Sequence, residues 1–76
     1  MTILETKPGD WYQVENVNEK ENVQRRLEAL GILEGTKIQV LNRKKNGSTI
    51  IRVRGTRWAL GREIACGIEV KEYNEY

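Results

Sequence analysis

The sequence contains no histidine, a single cysteine and a single serine. Lack of histidine removes the commonest general base, the His-containing nucleophilic triads and every His-based metal site. Cys66 alone forms no internal disulfide and falls short of the ligand count of a structural zinc site. Its neighbours Ile64, Ala65, Gly67 and Ile68 predict a thiol packed in the core. Ser48 follows a turn signal and reads as ordinary turn chemistry. The carboxylate pairs Glu19/Glu21 and Glu72/Glu75 read as a solvated helix start and a solvated tail rather than a cation site. The glycines are isolated, with no phosphate-cradling arrangement. Acid–base chemistry would fall to surface Glu and Lys alone, so the chain is expected to be no enzyme, with no cofactor and no metal site. No apolar run approaches the roughly 20 residues that span a bilayer. Met1–Glu5 lacks the basic and apolar regions of a signal peptide, which makes the cytoplasm the expected location.

What remains is a compact domain's worth of sequence. A length of 76 residues predicts one domain over residues 1–76, with a frayed tail from about Glu72 to Tyr76. Such a chain buries roughly 60% of its unfolded surface, enough for one core but not for a deep substrate cavity as well. Pro8-Gly9 supplies a type II turn ahead of a strand over Trp11–Val17, whose alternation slips near Asn16. Asn18 and Glu21 have the spacing of a capping box for a helix over Glu19–Leu30. Val23, Leu27 and Leu30 share its narrow apolar face, and Gly31 supplies a left-handed cap.

From Thr36 the period changes to two. Ile38 and Val40 face one way, while Lys37, Gln39 and Leu41 face the other. Asn46-Gly47 marks a hairpin in which both residues tolerate positive φ. The return strand Thr49–Arg54 puts Ile51 and Val53 on one face, and Ile50, Arg52 and Arg54 on the other. A short strand over Arg57–Leu60, a helical turn within Gly61–Gly67 and a last strand through Ile68 and Val70 follow. Five short strands, tight turns and one short α-helix predict a mainly β fold: a small, five-stranded, SH3-like, partly open barrel.

Net charge is only +2, but it is unevenly spread. Between Asn42 and Arg62 stand seven basic residues and no acid. One reading is a soluble outer strand face with Glu15, Glu63, Glu69 and Glu72 as cross-strand partners. Another is a docking surface for a protein, with Trp11, Arg52, Arg54 and Arg57 as its candidate residues. A third is a nucleic-acid surface on which Trp58 stacks bases, unless Trp58 packs in the core. An exposed edge strand would also permit self-association.

Two stretches carry a more specific signal. Arg25-Arg26-Leu27-Glu28-Ala29-Leu30-Gly31-Ile32 leads to Gly35-Thr36, and Arg54-Gly55-Thr56-Arg57-Trp58-Ala59-Leu60 leads through Ala65 to Ile68 and Val70. With Pro8-Gly9 they resemble the FeoA family over about residues 3–70. Glu34 stands where the family often has proline, and Thr6 where it usually has leucine. The resemblance implies an SH3-like domain, without a bound cofactor, that regulates or assembles FeoB, the membrane transporter of ferrous iron, from its cytosolic side. A similar domain ends the iron-dependent repressors of the DtxR type, so a nucleic-acid-binding or transcription-regulatory module stands as the alternative.

Overall fold

A computed structural model describes residues 1–74. The chain forms β1 (Trp11–Val17), α1 (Glu21–Ala29), β2 (Lys37–Arg43), β3 (Thr49–Val53), β4 (Thr56–Leu60), a one-turn α2 (Arg62–Ala65) and β5 (Ile68–Glu72). The five strands make one antiparallel sheet in the order β4-β3-β2-β1-β5, curled but not closed. This is the SH3-like, partly open barrel expected from the strand pattern. No helix among the described residues is long and apolar enough to cross a membrane.

Alternation decides the inner face. Tyr12 and Val14, Ile38 and Val40, and Ile51 and Val53 are buried, with Ile68 and Val70 completing the lining. Leu27 is the fully buried residue of α1, and Val23 and Leu30 pack beside it. The helix ends in a Schellman motif: Gly31 N–H donates to the Glu28 carbonyl (2.9 Å) and Ile32 N–H to that of Leu27 (2.8 Å). Gly31 takes φ +92°, as its place past the helix end requires. The slip near Asn16 is a bulge between Val14 and Asn16, where β1 changes register against β5.

Several expectations change. Asn18 does not cap α1: its N–H donates to the Gly67 carbonyl (2.7 Å) and its amide side chain bonds Asn16 and Glu69, so it ties β1 to β5. The helix starts at Glu21 after an N-cap lysine without a side-chain cap, and Gln24 anchors it by donating to the Val17 and Glu19 carbonyls. In the first hairpin only Gly47 takes positive φ, at +94°. The Gly47 N–H donates to the Lys44 carbonyl (3.0 Å), so the turn centres on Lys45-Asn46, and the Asn46 Oδ1 accepts from Ser48 N–H.

Cys66 is exposed rather than packed in the core, because it follows α2 on the solvent side while Ala65 and Ile68 take the inward positions. Its Sγ donates to the Glu63 carbonyl. The predicted fraying does not begin at Glu72: that residue pairs with Tyr12, and Tyr73 N–H donates to the Trp11 carbonyl (3.1 Å). Glu75 and Tyr76 lie outside the described residues.

The N-terminal segment, which alternation left unassigned, closes one end of the sheet. Ile3 is fully buried in a 3-10 turn over Ile3–Glu5, and Thr2 bridges to Glu69. The Val70 N–H donates to the Met1 carbonyl (2.7 Å), so the outer edge of β5 is covered.

Candidate protein-interaction face

The outer face of the sheet is built by register. Arg57 on β4 lies opposite Arg52 on β3, Arg52 opposite Gln39 on β2, and Gln39 opposite Trp11 on β1. Directly opposed residues point to the same side of a sheet, so Arg57, Arg52, Gln39 and Trp11 form one row across four strands. Three of the four candidate residues therefore come together. Trp11 is 44% exposed, as expected for the residue preceding inward Tyr12. Arg52 is half-buried and donates through Nη1 to Gln39 Oε1 at 3.4 Å, while Gln39 Nε2 donates to the Gly9 carbonyl at 3.3 Å.

Arg54 arrives by another route. It sits in the two-residue turn between Val53 and Thr56, where Arg54 takes φ +50° and Gly55 φ +81°. Both positive φ values define a type I′ turn, so Arg54 does not share a strand face with Arg52 as the alternation predicted. Its aliphatic stem leans over Gly31, where a Cβ would lie 3.6 Å from Arg54 Cδ. Even so, Trp11, Lys37, Arg52, Arg54 and Gly55 line one shallow open cleft of about 420 Å³ with Gly35 and Thr36. Lys37 Nζ lies over the Tyr73 ring, 4.5 Å from its centre.

The expected acidic partners are elsewhere. Glu69 pairs with Asn16, Glu72 pairs with Tyr12, and Glu15 occupies the bulge. Glu63 lies on α2. The one ion pair found among the described residues joins Arg25 to Glu21 on α1. Arg52, Arg54 and Arg57 thus carry no carboxylate among the described residues. Trp58 does not serve this face: it opposes inward Ile51 and packs against the core. A smaller open hollow of about 170 Å³ is lined by Gln24, Glu28, Ile32 and Glu34 among others. No group of three or more potential metal ligands gathers among the described residues.

This row and the Arg54 turn beside it cost stability in three ways. Like charges directly opposite destabilise a strand pair. A non-glycine residue in the left-handed region is strained, by roughly 1–2 kcal/mol. An exposed tryptophan forgoes burial of a large apolar surface. Costs concentrated in one place make this the candidate face.

Sequence reasoning missed Gln39 and Lys37. Alternation set them outward, but only the register with β1 and β3 reveals that they complete the row and the cleft.

An open five-stranded sheet with a helix after its first strand and a cationic outer face defines a small SH3-like domain. The chain belongs to the FeoA family, whose FeoA domain model matches residues 1–72. The solution structure of FeoA protein from Chlorobium tepidum is 32% identical over 97% of this chain and 71% of that one, with TM-score 0.89. The crystal structure of an iron uptake regulatory protein (FeoA) is 33% identical over 96% of this chain and 97% of that one, with TM-score 0.87. ScaR with bound Zn2+ shares the fold at TM-score 0.86 and 24% identity; the match covers 96% of this chain but 37% of ScaR. No match is found among the curated proteins.

Proposed function

We propose that this chain is a non-catalytic accessory domain of ferrous iron uptake that docks on the cytosolic side of a FeoB-type transporter through the row from Trp11 to Arg57. Membership of the FeoA family supports the role in ferrous iron transport. The observation that carries the docking face is the register itself, which sets two uncompensated arginines and an exposed tryptophan in one line. Arginine and tryptophan are the residues most enriched where binding energy concentrates.

A nucleic-acid-binding role draws support from the same cations and from the fold shared with ScaR. It is the weaker reading because Trp58, its stacking platform, faces the core.

Amide NMR titration with the cytosolic domain of the cognate transporter, and in parallel with a duplex oligonucleotide at the same ionic strength, separates the two. Shifts confined to Trp11, Gln39, Arg52 and Arg57 with the transporter domain are the expected result. Shifts with DNA alone, lost steeply as salt rises, would reverse the order of the two readings.

A further inference from the structure

The two edges of the sheet are not equivalent. The β5 edge is covered by Met1 and Thr2, whereas the β4 edge is bare among the described residues. The two-residue turn at Arg54-Gly55 makes Val53 and Thr56 a hydrogen-bonded pair, so pairs alternate from there along the hairpin. Thr56, Trp58 and Leu60 spend their backbone groups on β3. Arg57 and Ala59 fall in non-hydrogen-bonded pairs, so their N–H and C=O groups point out from the edge, and neither makes a backbone bond elsewhere among the described residues.

Side chains at this edge alternate in character. Arg57 projects to the outer face beside Arg52, and in a non-hydrogen-bonded pair the two lie especially close, about 4.5 Å between Cα atoms. Trp58 and Leu60 turn to the inner face, Trp58 only half-covered. One cation on an edge strand commonly guards against edge-to-edge aggregation. Two guanidiniums facing each other without a carboxylate exceed what a guard needs.

We propose that the β4 edge accepts an extended segment of a partner as a sixth strand, in which acidic residues alternate with apolar ones. The acidic side chains lie over Arg57 and Arg52, the apolar ones extend the inner layer beside Trp58, and the backbone bonds Arg57 and Ala59. Strand addition of this kind takes affinity from main-chain hydrogen bonds and specificity from alternate side chains. A second copy of this chain fits poorly, because edge-to-edge pairing of two β4 strands would gather both copies of Arg52 and Arg57 on one face. The inference specifies the partner segment for the face assigned above and rests on that reading only where the partner is the transporter.

The test uses a capped octapeptide alternating Glu and Val, the same peptide with Lys for Glu, and the Glu–Val peptide N-methylated at alternate amides. The Glu–Val peptide is expected to slow amide exchange at Arg57 and Ala59. The Lys peptide is expected not to bind, and N-methylation to weaken binding by about tenfold or more. Absence of Glu–Val binding, equal binding of the N-methylated peptide, or unchanged exchange at Arg57 and Ala59 overturns strand addition. So does concentration-dependent protection of those amides without peptide, which would mark self-pairing.

Ala59→Pro removes one outward N–H while leaving the β3 ladder intact, a change edge strands tolerate. The transporter's cytosolic domain is expected to lose affinity for A59P. Undiminished binding to folded A59P overturns the strand mode and leaves transporter docking standing. A transporter domain that ignores the parent chain while the peptide docks on β4 removes that partner and keeps the strand mode.

Discussion

The first hairpin carries arginines at both ends, and the two ends treat them differently. At the loop end, where β2 closes on β3, Arg43 is half-buried and nearly saturated. Its guanidinium donates to the Ile3 carbonyl at 2.9 Å, the Thr6 carbonyl at 3.2 Å and the hydroxyls of Thr6 and Thr49. At the other end Arg52 has one long bond to Gln39, and Arg57 faces it across the ladder. Arg43 therefore acts as a structural staple, gathering the N-terminal turn onto the sheet by giving the Thr6 carbonyl a side-chain partner and adding a further donor at that of Ile3. Arg52 and Arg57 face each other without a carboxylate among the described residues, a pairing that does not favour the strand ladder. An arginine's role is set by the acceptors that folding brings within reach, not by its membership of a basic run.

This contrast also explains Thr6. A buried hydroxyl in place of the family's usual leucine is accommodated because it donates to the Ile3 carbonyl at 2.6 Å and accepts from Arg43. The polar substitution and the arginine staple form one network.

The largest effect should come from the staple. Arg43→Met removes four donor contacts and leaves the Thr6 carbonyl without its side-chain partner, at a cost of about 2–3 kcal/mol. A shifted denaturation midpoint with an unchanged slope would show it. Thr6→Val keeps the volume but deletes the hydroxyl, and should cost about 1–2 kcal/mol, less than additively with R43M because the residues share a network.

On the outer face the sign should reverse. Arg57→Glu replaces a like-charge pair by an opposite one and should stabilise by up to about 1 kcal/mol at low salt, less at high salt. The same variant should lose transporter binding, so thermal melts and titrations move in opposite directions. A loss of stability as large as that of R43M would erase the distinction between the two ends. The smallest effect belongs to Arg54→Asn, which suits the left-handed position better and should stabilise by about 0.5 kcal/mol in the same melts. A destabilised R54N would mean that the packing of the Arg54 stem over Gly31 outweighs its strain.

Much of the architecture was legible before folding. The inward sets Tyr12/Val14, Ile38/Val40 and Ile51/Val53 follow from alternation, and Gly31 from its place after a helical stripe. Other local signals were redirected by tertiary bonds. Asn18 had the spacing of a cap but was taken by Gly67 and Glu69, and the apolar neighbours of Cys66 were buried without it. The candidate face was half legible: Trp11, Arg52 and Arg57 were named, but Arg54 was assigned to a strand that ends one residue earlier.

The sequence by itself determined which side chains of β1, β2 and β3 turn inward and that five short strands follow one another around a single short helix, because period and residue type act locally. Only the tertiary structure decided which arginines are consumed by the fold and which remain available, and that β4 rather than β5 is the bare edge. Those outcomes depend on register and on the docking of Met1–Thr6, contacts between residues distant in sequence that no local pattern encodes.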